Sequence, residues 1–423
     1  MNHASHSDSA QAGHSDPAAP AAPGGPGSPD QGALPDFSDT ARTFSHLSDG
    51  ELKFAGRLFV LLGKSWLSDN LSKLGSWAVR WRLPLAQWGV RNTIYRQFVG
   101  GTSLQNALPT IERLFQRGVT SIMDYGAEAK SSEADFDRFR DEILQAASLS
   151  GSTEAVDSVV VKVTGLAPNE LLESFNGTAI DFSGPLDAGL QRTIDRLDRV
   201  CEAASKNGIE IYIDAEETWF QGTIDQLADE MMRRYNQERV VVLNTFQLYR
   251  HDRLVFLKAS HERSREHGYL LGCKLVRGAY MDKERARAEE RGYPSPIQPN
   301  LAATHTDYNA AVEYCVDHID EIYALVGTHN EESVRRLTEL LDSRGLPRDH
   351  PHARCAQLLG MSDNLTFNLA DAGYNSSKYM VYGPVSEVLP YLVRRAQENT
   401  SVTGEMGREL KMIKDELRRR RKG

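Results

Sequence analysis

The sequence predicts an α/β protein built around a closed (βα)8 barrel of the TIM type. Eight short runs of β-branched and aliphatic residues follow one another between Val119 and Tyr382, and each is nearly continuously apolar. Strands buried on both faces of a parallel sheet have this composition, because helices cover both faces. Amphipathic stretches separate the runs, and eight such repeats over about 265 residues suit a barrel. The alternative is an open doubly wound sheet, which usually carries a glycine-rich phosphate loop after its first strand. Neither GxGxxG nor GxxxxGK[ST] occurs there.

The predicted strands are separated by stretches with helical periodicity. DFDRFRDEILQAAS, LQRTIDRLDRVCEAASKNG and EESVRRLTELLDSRG each place apolar residues on one helical face and charged residues on the other. The strand-like runs begin, in chain order, at Val119, Ser158, Ile209, Arg239, Leu271, Ile322, Arg354 and Ser377. The barrel is therefore expected to span residues 118–402, with a final helix capping it.

Length, charge and cysteine content narrow the class of protein. The 423 residues suit one large domain with appendages. A net charge of −9 argues against a nucleic-acid surface, so no nucleic-acid partner is expected. The cysteines are far apart and form no CxxC motif, which indicates a reducing compartment without a disulfide framework or a zinc site.

The first 40 residues have the composition of a disordered tail. They are rich in Ala, Gly, Pro and Ser, and the first Lys or Arg is Arg42. A signal peptide needs an early cation before an apolar run, and a transit peptide needs arginines and few acids. This segment instead carries Asp8, Asp16, Asp30 and Asp36. Residues 1–40 are therefore expected to form a disordered extension with neither a signal nor a transit peptide.

Residues 41–117 show helical rather than strand patterns and are predicted to form a helical arm, from stretches such as ELKFAGRLFVLLGKSWL, LSKLGSWAVRWRLPLAQWGV and LQNALPTIERLFQRG. No apolar run approaches the roughly 20 residues that span a bilayer, so a cytoplasmic protein is expected. Residues 403–423 form a basic tail ending in RRRRKG. Two interpretations stay open for this tail: a solvated segment, or a peripheral contact with the anionic surface of an inner membrane.

Polar side chains lie at the ends of all eight predicted strands. In a (βα)8 barrel the site lies at the carboxyl ends of the strands, so these side chains should converge. Lys162 and Lys274 interrupt apolar runs, and buried lysines are rare unless paired. A structural ion pair with Asp214 and an additional contact with substrate are both compatible with the pattern. The other strand-end residues are Asp124, Glu128, Thr164, Glu216, Glu217, Asn244, Gln247, Arg277, Tyr280, Thr328, His329, Asn330, Gln357 and Tyr382.

The same strand ends disfavour hydrolytic and metal chemistry. They carry no HExxH motif and no Cys/His couple, and His329 is the lone strand-end histidine. One histidine among several cations is a poor site for a divalent ion, so no metal site is predicted. The cations instead suit an anionic cofactor and an anionic substrate; they are Lys162, Lys274, Arg277, Arg394 and Arg395.

Several motifs resemble those of the proline dehydrogenase family, FAD enzymes with a distorted (βα)8 barrel. They are DAEE at 214–217, KLVRGAY at 274–280, GTHN at 327–330, QLLGM at 357–361 and YGPVSEVLPYLVRRAQEN at 382–399. The resemblance covers roughly Val119 to Val402. It implies oxidation of L-proline to Δ1-pyrroline-5-carboxylate, the first step of proline catabolism, with electrons passed to a quinone. No aldehyde dehydrogenase sequence follows, so pyrroline-5-carboxylate dehydrogenase is expected on a separate chain.

The resemblance assigns a substrate role to residues on the last helix and at the strand ends. Arg394 and Arg395 are expected to bind the carboxylate of proline, since guanidinium groups match it bidentately. Glu398 lies one helical turn further on, where it can hold the arginines and face the substrate amine. Lys162 is expected near the carboxylate, and Tyr280 and Tyr382 beside the proline ring. Because hydroxyproline enzymes tend to carry a smaller residue at the position of Tyr382, proline is the expected substrate.

The resemblance assigns catalytic roles to Asp214, Lys274 and Arg277, the last two also as flavin contacts. A cation near the isoalloxazine stabilises the charge that develops on reduction. Which of Lys274 and Arg277 faces flavin N5 stays open, because bifunctional bacterial enzymes carry RLVKGAY with the cations exchanged and this chain follows the monofunctional, eukaryotic-like branch. Whether Asn244 or Gln247 is the main flavin contact also stays open. The remaining expected FAD contacts are Ala215, Gly278, Ala279, Thr328 and His329.

Three other functions compete with proline oxidation. A hydroxyproline dehydrogenase would share the flavin site and differ in its ring pocket. Another barrel flavoenzyme, such as a folate reductase, would use NADH, but it would not need two adjacent arginines. A membrane-associated binding protein would use the arm and the basic tail, but it would have no reason to keep lysines inside strands.

Overall fold

The computed structural model describes residues 34–62, 88–126, 132–401 and 403–422, with the side chains of 396–401 and 403–406 left out. Within these residues, nine parallel strands form one sheet. The strands are β1 Val99–Gly101, β2 Val119–Tyr125, β3 Val156–Val161, β4 Glu210–Ile213, β5 Val242–Gln247, β6 Leu271–Val276, β7 Ile322–Gly327, β8 Ala353–Leu358 and β9 Ser376–Tyr382.

Strands β2 to β9 close into a barrel, which confirms the predicted fold. Each strand pairs in parallel with the next, and β9 pairs with both β8 and β2. The β2–β9 ladder runs in register from Val119 opposite Ser376 to Tyr125 opposite Tyr382. All eight predicted runs correspond to these strands, because near-continuous apolar composition is a strong signal for a strand buried on both faces.

Strand β1 was not predicted, since it lies in the segment assigned to the helical arm. Val99 pairs with Val381 and Gly101 with Tyr382, beyond the point where β8 stops pairing at Tyr379. A Cβ atom on Gly100 would lie 2.3 Å from the sulfur of Met380, so only glycine permits this approach. Three residues are too few to show a strand pattern.

The helices surround the barrel and bury one face each. In α7, for example, Leu190, Ile194, Leu197 and Cys201 lie on the buried face. The described helices are α1 Thr40–Thr43, α2 Asp49–Leu62, α3 Arg96–Phe98, α4 Leu104–Phe115, α5 Glu133–Ser150, α6 Asn169–Ser174, α7 Ala188–Lys206, α8 Thr218–Tyr235, α9 Arg253–His267, α10 Met281–Arg291, α11 Leu301–Asp317, α12 Glu331–Ser343, α13 Asp363–Asp371, α14 Leu389–Ser401 and α15 Thr403–Arg420. A π-helical segment, Arg91–Tyr95, precedes α3.

The interior of the barrel is filled by side chains and closed at its lower end by a polar network. Arg354 on β8 contacts Asp157 on β3, and its Nε donates to the Tyr323 hydroxyl at 3.0 Å. Tyr323 in turn donates to Glu210 at 3.2 Å. Sequence analysis missed this network, because its residues lie at the starts of strands. The interior is therefore packed at the start of the strands, and a ligand site is expected at the opposite, carboxyl end.

The structure corrects the predicted extent of the N-terminal tail. Phe37 is only 2% exposed, and its carbonyl accepts a hydrogen bond of 3.1 Å from Asn364 on α13. Residues 34–40 therefore pack on the barrel, because one aromatic anchor offsets the cost of ordering a short segment. Residues 1–33 lie outside the described residues, as do residues 63–87, which hold most of the second predicted arm helix.

The predicted basic tail, 403–423, is an integrated helix rather than a solvated segment. Helix α15 packs on α2, with Ile413 2% exposed. The Glu416 carboxylate is fully buried and pairs with Arg419 and Arg420 at 2.8 and 2.7 Å. Arg420 also donates to the carbonyl of Leu47 at 2.8 Å. The apolar face of α15 thus determines its position, and part of the arginine run is neutralised within the chain.

No helix in the described part of the chain combines the length and apolar character needed to cross a membrane.

Two glutamates on α15 should give opposite pH signatures. Burial, and next the charge of Asp363, raise the pKa of Glu409 to about 8, so stability is full below the unfolded pKa of about 4.3 and falls as pH rises toward 8. Hydrogen bonds from Arg419 and Arg420 lower the pKa of Glu416 to about 2 despite burial, so its contribution is lost as pH falls. Between pH 5 and 8 the free energy of unfolding of wild type should fall by on the order of 1–4 kcal/mol through Glu409. Glu409→Gln should lack this decrease. Glu416→Gln, the matched control, should destabilise most at neutral pH. Parallel pH profiles of the urea midpoint for wild type and Glu409→Gln would contradict this.

Candidate functional site

A four-residue ion network lies at the carboxyl end of the barrel. Lys162, directly after β3, places its Nζ 2.7 Å from Asp124 on β2 and 3.4 Å from Asp214 after β4. Lys274 on β6 places its Nζ 2.5 Å from the other carboxylate oxygen of Asp214. The predicted pairing of lysine with Asp214 is thus present, with Lys274 as the nearer partner. Alternation along each strand turns these side chains inward.

The charges of the network stabilise one another despite burial. Burial opposes the charge of Asp214, but the ammonium groups of Lys274 and Lys162 outweigh it and lower its pKa. Burial raises the pKa of Asp124, which Lys162 counteracts and Asp214 reinforces. Asp214 is therefore the fixed anion between two lysines.

Tyr379 on β9 joins the network, and sequence analysis missed it. Its hydroxyl donates to Asp214 at 3.1 Å, and its ring centroid lies 4.7 Å from the Lys274 Nζ. The signal that could have found it is strand alternation, since Tyr379 shares the inner face of β9 with Val381. The inward tyrosine holds the carboxylate of Asp214 from the opposite side of the barrel.

Glu216, which follows Asp214 and Ala215, is a second buried carboxylate at this end. Ala215 is 9% exposed. Glu216 accepts hydrogen bonds from the backbone N–H of Thr164 at 3.1 Å and from its hydroxyl at 2.5 Å. Burial raises the pKa of Glu216 to about 7, although the bonds from Thr164 act in the opposite direction. This carboxyl therefore titrates near neutrality and can hold a proton at the mouth of the barrel.

Arg277 lies on the rim above β6 and β7. Its guanidinium donates to the hydroxyl of Thr328 at 2.6 Å and to that of Ser333 at 3.0 Å. Its Nε donates to Nδ1 of His305 at 2.9 Å, and it stacks over the ring of Tyr308 at 4.2 Å. Arg277 and Thr328 are thus brought together as predicted, whereas Lys274 lies deeper in the Asp214 network.

His329 is a neutral hydrogen-bonding residue next to this rim. Its Nδ1 lies 3.0 Å from the hydroxyl of Ser362. Burial, then the charges of Lys378 and Arg395, lower the pKa of His329 to about 3. The imidazole is therefore uncharged at neutral pH and can accept or donate one hydrogen bond on each nitrogen.

Gln247 at the end of β5 ties two backbone segments of the mouth together. Its amide nitrogen donates to the carbonyl of Glu216 at 2.8 Å, and its amide oxygen accepts from the N–H of Ala279 at 3.4 Å. Gly278 adjoins Ala279 with φ of 138°, a conformation that favours glycine. The turn after β6 is thereby fixed against the end of β5.

Asn244 does not reach the mouth, which corrects its prediction as a cofactor contact. It lies on the outer face of β5, where its amide donates to Asp225 on α8 at 2.9 Å. Arg253 on α9 binds the other oxygen of Asp225 at 2.7 Å. Because side chains alternate along a strand, Gln247 faces inward when Asn244 faces outward. Of the two residues, Gln247 is the one whose side chain lies at the mouth.

The two predicted aromatic residues differ in position. Burial and the charge of Glu216 raise the pKa of Tyr280, while the charge of Arg394 opposes that shift, so Tyr280 lies near both groups. Tyr382 is 1% exposed and packs against Tyr125, with ring centroids 5.4 Å apart. Tyr382 is the last residue of β9 and belongs to the apolar cluster between the barrel and its helices.

Helix α14 covers the mouth and carries the adjacent arginines. Val388 and Leu392 pack with Val381, which attaches the helix to the end of β9. The charge of Arg395 acts on His329, as the charge of Arg394 acts on Tyr280. The charge of Arg394 thus acts on a residue that follows β6, and the charge of Arg395 on one that follows β7. The side chain of Glu398 lies outside the described residues.

Gly278→Ala should be far more costly than the same change at Gly268. A Cβ atom on Gly278 would lie 2.3 Å from the ring of Tyr249, and φ is 138°, so we expect a loss of about 2–4 kcal/mol in unfolding free energy. Gly268 also has positive φ, 72°, but faces open space, so Gly268→Ala should cost about 1 kcal/mol. Urea unfolding measures both, and equal losses would show that the packing against Tyr249 is unimportant.

Comparison with known proteins identifies the family. The family model described as proline dehydrogenase matches residues 107–408, which include β2 to β9 and α14. "Proline dehydrogenase 1, mitochondrial" of Dictyostelium discoideum is 29% identical over 428 residues, covering 90% of this chain and 74% of that protein. "Hydroxyproline dehydrogenase" of Xenopus laevis is 32% identical over 371 residues, covering 79% of each.

A solved structure shows the same fold. Proline utilization A from Bdellovibrio bacteriovorus aligns with a TM-score of 0.68 at 20% identity, over 87% of this chain. The chain spans 38% of the length of that protein. The matched residues hold the whole barrel and its ion network. This chain belongs to the proline dehydrogenase family of oxidoreductases.

Proposed function

We propose that this chain oxidises L-proline to Δ1-pyrroline-5-carboxylate with bound FAD. The observation that carries the proposal is the inward network of Lys162, Asp214 and Lys274 beneath a helix with two adjacent arginines, in a chain of this family. A barrel kept only for binding would gain nothing from fixed cations in its strands, because their burial costs stability.

The residues at the rim fit a flavin. Arg277, Gln247, Thr328 and His329 would hold it, and the turn at Gly278 and Ala279 brings backbone close to it. A flavin held there would supply the acceptor for the hydride on the carbon next to the proline nitrogen. The cations of Arg277 and Lys274 stabilise negative charge at this end of the barrel without reorganising. Packing of Arg277 against Thr328, Ser333 and His305 holds its guanidinium in one orientation.

The substrate would be bound between α14 and the network. Arg394 and Arg395 hold the carboxylate, with Lys162 adding positive charge, and Tyr280 lies beside the ring. The chain would contribute to the rate mainly by positioning and electrostatics, because the flavin carries the hydride chemistry.

Hydroxyproline is the alternative substrate, and the similarity to the frog hydroxyproline dehydrogenase favours testing it. The proposed preference for proline rests on Tyr382, a large side chain at the end of β9 that packs against the ring of Tyr125. A smaller residue there would let β9 and its neighbours relax and widen the ring pocket.

We further propose a quinone as the electron acceptor and a separate pyrroline-5-carboxylate dehydrogenase as the consumer of the product. A cytoplasmic location with peripheral membrane contact is part of the same proposal. On α15 the contact would use Arg418, whose side chain is 69% exposed, because Arg420 is engaged with Glu416 and Asp49.

An anaerobic visible spectrum of the purified protein, before and after L-proline, tests the proposal. A flavin peak bleached by proline is the expected result. Bleaching by hydroxyproline or NADH but not by proline would confirm a flavin and assign a different substrate. A protein that shows no flavin peak even after added FAD would overturn the proposal in favour of a binding role.

A further inference from the structure

Two histidines and a glutamate converge at the end of the barrel opposite the mouth. His261 lies on α9, His318 follows α11, and Glu321 immediately precedes β7. One ligand atom from each lies within 4.8 Å of the other two. The site is remote from the ion network, because Glu321 lies at the start of a strand whose far end is the mouth.

The spacing suits a divalent ion of the zinc type. His261 Nε2 lies 2.7 Å from Glu321 Oε2, and the rings of His261 and His318 are 4.8 Å apart. Ligand atoms about 2.0–2.1 Å from a tetrahedral zinc lie roughly 3.3 Å from one another, so side-chain rotations of about 1 Å would suffice. Two histidines and one carboxylate leave a fourth position for water.

The second coordination shell is already present. The other nitrogen of His261, Nδ1, lies 2.8 Å from the hydroxyl of Tyr314, which can fix the ring and direct Nε2 toward the ion. His318 packs on Tyr314 with centroids 4.6 Å apart, which orients the second imidazole.

Access and nearby charge set the expected affinity. The His261 side chain is 2% exposed and that of Glu321 is 44% exposed, so an ion can enter from solvent and meet a buried ligand. Arg265 lies 3.6 Å from the other oxygen of Glu321, and Lys258 lies over the ring of Tyr314 at 5.4 Å. These cations weaken binding of a cation, so the site should be of moderate affinity.

We propose that His261, His318 and Glu321 bind one Zn²⁺, or a similar divalent transition ion, and that the ion fastens α9 to the turn between α11 and β7. Strand-end motifs gave no sign of it, since its histidines are 57 positions apart and only the HxxE spacing of His318 and Glu321 is local. The inference does not depend on the flavin reaction.

The test is zinc titration of metal-free full-length protein against a chromophoric zinc indicator. Wild type should bind one ion per chain, and His318→Asn and Glu321→Gln should each weaken that site at least about 10-fold. The matched control is His267→Asn, at the exposed end of α9, which should bind as wild type does. Zinc held elsewhere, for instance by His3, His6 or His14, would persist in every variant.

A melting experiment separates loss of the site from loss of the fold. Zinc should raise the unfolding temperature of wild type and of His267→Asn, and should leave that of His318→Asn and Glu321→Gln unchanged. If His318→Asn does not fold, Glu321→Gln decides, because its side chain is half-exposed. Equal zinc affinity in wild type and Glu321→Gln would overturn the proposal and leave a hydrogen-bonded structural cluster.

Discussion

Asp214→Asn is expected to lower kcat/KM for proline by about 100-fold or more and to reduce the free energy of unfolding by about 3–5 kcal/mol. Asparagine preserves the shape of the side chain but removes the one carboxylate partner that Lys274 has among the described residues. Lys162 would keep Asp124 as a carboxylate partner, whereas Lys274 would keep none among the described residues. The loss of unfolding free energy is large because a buried ammonium group is left without a counter-charge. This holds whether or not the intact network stabilises the fold overall.

The control for this prediction is Asp157→Asn at the opposite end of the same barrel. Asp157 also pairs with a buried cation, Arg354, so its removal should destabilise the fold to a similar degree. It lies far from the mouth, so kcat/KM of the folded fraction should stay near wild type. Measuring urea unfolding and steady-state kinetics on both variants separates the two effects. If both variants lose the same fraction of activity, Asp214 acts only through stability.

The pH dependence of Asp214 follows from its lowered pKa. A carboxyl whose pKa is lower in the folded state stabilises the fold above the unfolded value, and that stability is lost as pH falls through the folded value. Wild type should therefore lose stability in acid more steeply than Asp214→Asn. Glu216, with a pKa of about 7, changes stability in the opposite direction: its contribution is lost as pH rises from about 4.3 to 7. Wild type and Asp214→Asn should therefore be compared below about pH 4.3.

The barrel could be predicted from sequence because it depends on composition that is continuous along each strand. Lys162 and Lys274 were informative for the same reason, since a lysine in an apolar run requires a partner. Whether a strand-end residue faces inward depends instead on register, which one residue can reverse. That is why Asn244 was misplaced and Tyr379 was overlooked, although both lie in strands that were predicted.

Other features depend on contacts between distant segments and have no local signal. Strand β1 exists because Gly100 allows the chain to approach Met380. Phe37 packs on α13 and accepts a hydrogen bond from Asn364, and the buried Glu416 on α15 accepts one of 3.1 Å from Thr40 on α1. Composition alone predicted tails there, because a single apolar anchor or a fully paired glutamate hardly changes the average over 20 residues.

Arg394→Met should raise KM for proline about 30-fold or more while the bound flavin stays near one per chain. Methionine keeps the apolar length of the side chain, so helix α14 should still pack through Val388 and Leu392. The carboxylate of proline would then lose one of its two proposed guanidinium partners. Arg394→Lys should fall between the two, because lysine supplies the charge without the planar fork.

The matched control is Arg418→Met on α15, where the arginine pairs with Asp415 at 2.9 Å and its side chain is 69% exposed. That change removes the same charge from the neighbouring helix and should leave KM unchanged, since an exposed pair contributes little. Steady-state kinetics at two ionic strengths distinguish direct binding of the carboxylate from long-range attraction. A direct contact predicts that the ratio of KM in Arg394→Met to KM in wild type varies little with salt. A ratio that falls to near one at high salt would assign Arg394 to long-range attraction.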